Sequence, residues 1–155
     1  MTAEIVAIVS TGRQVTPESE RQLRKWSALG IGVAVAWRAT TLLSLGASLA
    51  VERRFFSPFD DSLQKPHQRS TPVSIGAFVD ATFAENHRLR LSPTVVFDSP
   101  PTSELRVTPW ISLLYGYSGV GVPSLLLEAG PSVGSGLSGY GEVAWQFSAR
   151  VGVKF

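Results

Sequence analysis

The chain contains no cysteine. Thiol chemistry, disulfide bonds and cysteine-ligated metals are therefore excluded. Histidine is nearly absent too: His67 and His87 stand far apart, and neither has a second histidine at metal-ligand spacing. No run of about 18 apolar residues occurs, which rules out a transmembrane helix. An excess of charge is also missing. The chain carries 14 basic against 12 acidic residues, so it has no electrostatic footprint for nucleic acid. Serine is plentiful, but no serine motif shares a face with a nearby histidine, and no catalytic residue, cofactor site or metal site is assigned.

What the chain has in quantity is period-two alternation. From Glu142 to Phe155, Val143, Trp145, Phe147, Ala149, Val151, Val153 and Phe155 take one register, and mostly polar or small residues take the other. Strict alternation specifies a β-strand with one apolar face. The same pattern runs from Ser27 to Ala39, from Leu43 to Glu52, from Val73 to Phe83, from Arg88 to Asp98, from Leu105 to Tyr117 and from Leu125 to Val133. Ala3 to Ser10 is rich in β-branched residues but alternates poorly; as a strand it brings the number to eight. Connections alternate between short turns and longer segments near 11–26, 53–72, 98–104 and 134–141. Within the first of these, Thr16-Pro17-Glu18 reads as a helix start, with Thr16 as N-cap and Pro17 at the first helical position. A solvated loop is the competing reading.

An even number of strands with alternating connection lengths predicts a single all-β domain over 1–155, an eight-stranded antiparallel up-and-down β-barrel. The sense of the barrel follows from its faces. The apolar register holds large side chains. The opposite register mixes glycine, alanine and serine with Arg38, Glu52, Asp80, Arg88, Arg90, Asp98, Arg106, Glu128, Glu142, Arg150 and Lys154. Small residues interleaved with balanced charges suit a narrow lumen in which the charges pair. A soluble lipocalin-like barrel would put the large apolar residues inside. The transmembrane sense is thus expected, with an interior charge network. Aromatic residues should form two interfacial belts. Trp37, Phe83, Tyr115, Tyr117 and Phe155 fall beside the short turns or the terminus, and Trp26, Phe55, Phe97 and Tyr140 beside the longer connections. Phe78 and Trp110 share the inward register, so either they plug the barrel or a bulge near Pro109 shifts the register.

An alternating final strand that ends on an aromatic resembles the C-terminal strand of bacterial outer-membrane β-barrels, the OmpA/OmpX-like class. The resemblance implies that Phe155 is the signal read by the barrel-insertion machinery. It implies an outer-membrane location, contact with lipid bilayer and lipopolysaccharide, and a monomer. Met1-Thr2-Ala3-Glu4 shows no basic segment followed by an apolar one, so an export leader is expected to have been replaced by Met1, or the sequence to be designed. The class includes a lipid A deacylase and a lipid A palmitoyltransferase, but the deacylase's H-x-S pattern matches no strand here. Three functions stay open: a structural or surface-interaction barrel acting through its outer loops, a narrow channel for small solutes, and a lipid-modifying enzyme. The first is the leading expectation, with no enzymatic activity.

Pro93, Pro109 and Pro131 fall in three successive strands on the apolar register. Proline cannot donate to a ladder, and lipid offers no substitute donor. With symmetric hairpins, Pro93 would oppose Pro109 and Pro109 would oppose Pro131. Such a row would mark either strand ends and bulges near the rim or a lateral gap admitting a lipid or apolar solute.

Overall fold

A computed structural model of the chain describes residues 1–15, 24–56, 69–84, 86–98, 105–118, 125–135 and 141–154. Eight long strands are present: β1 Thr2–Val15, β2 Arg24–Arg38, β3 Leu43–Phe56, β4 Val73–Ala84, β5 His87–Asp98, β6 Arg106–Tyr117, β7 Leu125–Ser135 and β8 Gly141–Lys154. Arg69–Ser70 adds a two-residue rung to the end of β3. Each strand pairs antiparallel with its sequence neighbours, and β1 pairs with β8 from Thr2↔Lys154 to Val15↔Gly141. The sheet is a closed barrel, so no strand edge is left for lipid to leave unsatisfied. Strands of 11–15 residues meet or exceed the roughly 9–11 that a tilted strand needs to cross a bilayer.

Alternation decides the two faces. Ile31 is 65% exposed, Ile111 60% and Val133 56%, while Ala34, Leu114 and Arg90 are 1–2% exposed. An apolar belt on every strand, enclosing buried charges, is the reverse of a soluble barrel. The weakly alternating β1 is a full strand. It was hard to read because Val6 and Ile8 point inward with Glu4 and Ser10, so both of its faces carry β-branched residues.

Strand pairing reaches further than the alternation suggested. β1 and β2 remain paired out to Gln14↔Arg24, and β3 to Trp26↔Phe56. The helix start at residues 16–18 and the bodies of the long connections lie outside the described residues. The first short turn is built by Thr40, whose Oγ1 accepts from the amides of Leu42 at 3.2 Å and Leu43 at 3.0 Å. Ser118 N donates to Asn86 O at 2.9 Å and ties two short turns together.

The proline row is staggered. Pro93 faces Ile111 and Pro109 faces Val95, because the β5–β6 register is set by Asp98↔Arg106 rather than by a symmetric loop. The β6–β7 register, running from Trp110↔Gly134 to Tyr117↔Leu127, places Pro131 far from Pro109. All twelve rungs between β5 and β6 are continuous past Pro109, so no bulge shifts Trp110.

Candidate functional site

The lumen is filled in two layers of different chemistry. At the short-turn end, Glu4 of β1, Asp80 of β4, Arg88 and Arg90 of β5, Glu128 of β7 and Arg150 of β8 converge. Asp80 and Arg90 are direct cross-strand partners. Arg90 grips Asp80 with two parallel bonds, Nε to Oδ1 at 2.5 Å and Nη2 to Oδ2 at 2.7 Å. Arg88 Nη1 donates to the same Oδ2 at 3.1 Å. Arg90 Nε also lies 3.4 Å from Glu128 Oε1. Arg150 Nε and Ser148 Oγ both donate to Glu128 Oε2, the latter at 2.9 Å. Glu4 completes the set, 3.6 Å from both Arg90 and Arg150 and 3.7 Å from Arg88. Three cations and three anions cancel, which is how a low-dielectric interior tolerates charge. Phe78 caps the cluster from above, its ring 3.9 Å from the Arg90 guanidinium carbon.

At the long-connection end, Trp26 and Trp110 meet edge to face with centroids 6.4 Å apart. The Arg54 guanidinium lies 4.4 Å from the Trp26 ring and 5.8 Å from the Trp110 ring. Three buried aromatics lie over a glycine directly across the ladder: Trp26 over Gly12, Phe78 over Gly46 and Trp110 over Gly134. A Cβ at these glycines would sit only 2.5–2.6 Å from a Cε2 of the facing ring. The glycines are notches that let the rings fold flat against the wall. Between the two layers lies a cavity of about 80 Å³ lined by hydroxyls that include Ser10, Ser48, Ser92, Thr94 and Ser112. Apolar side chains, Val6, Ile8, Ala50 and Leu114 among them, complete its lining.

Of the expected interior charges, the barrel brings Asp80, Arg88, Arg90, Glu128 and Arg150 together. Glu52 and Asp98 sit in the upper half. Glu52 accepts from Ser10 Oγ at 3.4 Å, and Asp98 is buried. Arg106, Glu142 and Lys154 pair with Asp98, Gly134 and Thr2 along the ladders. Arg38 departs from the network. Its strand ends there, so its exposed guanidinium turns back to donate to the carbonyls of Thr40 at 3.2 Å and Thr41 at 3.0 Å. Glu4 and Arg54 were missed. Glu4 was hidden by the poor alternation of β1, and Arg54 lies just past the expected end of β3. Trp26 is no belt residue: it takes the inward register and is 3% exposed.

On the outer face, Trp37, Phe83, Tyr115 and Tyr117 are exposed beside the short turns. His87 packs among them, stacked on Phe83 at 5.9 Å and hydrogen-bonded to the Tyr115 hydroxyl. Phe55 is exposed near the opposite end. Tyr140 and Phe155 lie outside the described residues.

At Pro93 the rungs Ala77–Pro93 and Phe78–Ser92 drop out of the β4–β5 ladder. Ser92 Oγ donates to the Ala77 carbonyl at 3.1 Å and replaces the missing proline donor. At Pro131 two rungs drop out of the β6–β7 ladder. There Gly130 is pressed against the Leu113 backbone, so the strands touch rather than part.

This wall and filled lumen define the class, a small transmembrane β-barrel. No family model and no curated protein matches the chain. Solved structures match across nearly its whole length. Ail of Yersinia pestis aligns with a TM-score of 0.61 at 13% identity over 98% of both chains, and has also been solved in a phospholipid bilayer nanodisc. The N-terminal barrel of Pseudomonas aeruginosa OprF aligns at 0.59 and 13% identity, covering 98% of this chain and 97% of its own. The outer membrane enzyme PagL aligns at 0.55 and 9% identity, covering 94% and 99%. The shared feature is the eight-stranded outer-membrane barrel fold.

Proposed function

We propose that the protein is a bacterial outer-membrane barrel that works as a rigid, non-conducting scaffold presenting its long connections at the cell surface. The observation that carries this reading is the combination of a lipid-compatible belt on all eight strands with a lumen occupied at both ends, by the six-charge cluster and by the Trp26–Trp110 pair. Function is then left to the connections, where a rigid scaffold usually carries its binding residues. The fold likeness includes one enzyme, and likeness at this identity carries no activity across. Insertion by the barrel machinery through Phe155, and a monomeric state, belong to the same proposal.

Refolding into phospholipid vesicles followed by a heat-modifiability gel tests the barrel. The unboiled sample should migrate apart from the boiled one. Planar-bilayer recording tests the scaffold role. Wild-type protein should give no reproducible open steps, and regular conductance would favour the channel instead. Unchanged lipid A mass spectra from expressing cells are expected, and new or missing acyl chains would favour the lipid-modifying enzyme.

A further inference from the structure

The six-charge cluster has a closed half and an open half. In the closed half, Asp80 accepts three hydrogen bonds, two from Arg90 and one from Arg88. The open half is a ring of four residues from four strands: Glu4 of β1, Arg90 of β5, Glu128 of β7 and Arg150 of β8. Acid and base alternate around it. Arg90 lies 3.6 Å from Glu4 and 3.4 Å from Glu128, Arg150 lies 3.6 Å from Glu4, and Arg150 Nε donates to Glu128 Oε2. The last of these four edges is a hydrogen bond, and the other three are wider ion pairs.

Each corner of the ring keeps one buried atom that has no hydrogen-bond partner among the described residues: Glu4 Oε2, Arg90 Nη1, Glu128 Oε1 and Arg150 Nη1. All four residues are more than nine-tenths buried. Two of the atoms can only accept and two can only donate, because a carboxylate carries no proton and a guanidinium no lone pair. Buried charged groups left without hydrogen bonds are costly. Movement within the cluster does not remove the cost. Arg90 Nε and Nη2 are committed to Asp80, and Arg150 Nε to Glu128. Turning either guanidinium toward Glu4 breaks one bond to make another.

The partner these atoms require is defined by what it must meet. It is neutral, because a cation would face two guanidiniums and an anion two carboxylates. It supplies two donors and two acceptors. It is small, because the edges of the ring are all under 4 Å. Arg150 also lines the cavity between the two lumen layers, which gives the ring a route of entry. We infer that the Glu4–Arg90–Glu128–Arg150 ring binds a single water molecule. The water donates to Glu4 Oε2 and Glu128 Oε1 and accepts from Arg90 Nη1 and Arg150 Nη1. Four polar partners suit a buried water, and bridging of this kind closes polar contacts too wide to bond directly. The inference goes beyond the scaffold reading and does not depend on what the long connections bind. One molecule then ties β1 and β5 to β7 and β8 across the lumen, and the charge cluster is complete only with it in place.

The test is a crystal structure of the full chain, grown in lipidic mesophase and resolved well enough to show ordered water. One density peak within about 3.2 Å of all four atoms is the expected result. A ring contracted to direct hydrogen bonds, with no peak among its members, overturns the inference. So does an anomalous signal at the ring in crystals grown with bromide or with rubidium, which makes it an ion site. Nuclear magnetic resonance of the full chain in nanodiscs gives a second readout. The Nη1 protons of Arg90 and Arg150 should both show cross-relaxation with a long-lived water. Glu4→Val removes one acceptor and should abolish that signal, while the Arg90–Asp80 bonds remain. A signal unchanged at both arginines in this variant overturns the four-coordinate site. Where Glu4→Val does not fold, the wild-type density decides by itself.

Discussion

The two ends of the lumen solve the same problem with different forces. Both must fill a narrow tube whose wall is already satisfied by its ladders. The short-turn end uses six charged groups, each within 4 Å of an opposite charge. The long-connection end uses large rings laid over glycine notches, with neither indole N–H of Trp26 or Trp110 hydrogen-bonded among the described residues. A charge cluster is strong only while it is complete, because removing one member leaves its partners buried and uncompensated. A ring packed over a notch is held by shape and loses little when a polar atom is taken away. The charge cluster is therefore brittle to deletion, and the ring-over-glycine notches to overfilling.

The largest effect should come from breaking the cluster. Arg90→Ala removes the partner that Asp80, Glu128 and Glu4 share, and should destabilise the barrel by about 3–5 kcal/mol. Trp110→Phe at the other end removes an unbonded N–H and part of a ring, leaving a small gap but no uncompensated charge. It should cost less, about 1–2 kcal/mol. Urea titrations of folding in lipid vesicles measure both. Comparable losses would erase the distinction between the two ends.

Overfilling should act at the glycine notches instead. Gly134→Val drives a branched side chain into the Trp110 ring and should cost about 1–3 kcal/mol, the usual range for overpacking. Gly46→Val should lie at or above the top of that range, because its Cβ also meets the Val35 carbonyl. At Gly116, by contrast, a Cβ would meet only side chains, Leu126 at 3.0 Å and Glu128 at 3.1 Å. Gly116→Ala should cost less than Gly46→Val in the same titration. A cost matching that of Gly46→Val would show that the notches are unspecific.

The smallest effect concerns the stitch beside Pro93. Ser92→Ala removes the donor that Ser92 Oγ supplies to the Ala77 carbonyl across the interrupted rung, and should cost about 1 kcal/mol. In a Pro93→Val background the backbone can donate again, so the same substitution should cost less. A double-mutant cycle reads the difference. A coupling of zero would leave the proline row as edge-tolerated residues and Ser92 as incidental.

Much of the wall was legible because its signal is local. Leu29, Ile31, Val33, Val35 and Trp37 declare their face by parity alone, and so do Val143 to Val153. Parity failed where a strand ended or where both faces were apolar. Arg38 has inward parity but stands at the last residue of β2, and the turn captured it. Glu4 has the right parity in a strand whose inward Val6 and Ile8 disguised it. Trp26 was placed in a belt by its nearness to a loop, although β2 begins two residues earlier and parity turns it inward. Symmetric loops would align the proline row, but register depends on pairing along the whole hairpin.

The sequence by itself determined a barrel wall with an apolar outside and a small-and-charged inside, because side-chain direction in a strand repeats every two residues and needs no distant partner. Only the tertiary structure decided which inward residues meet. Glu4, Asp80, Arg90, Glu128 and Arg150 come from five strands and touch only after β1 pairs with β8 and the stagger between strands sets their heights. Closure and stagger are properties of the whole sheet. The ion pairs and the ring-over-glycine contacts follow from them and from no single strand.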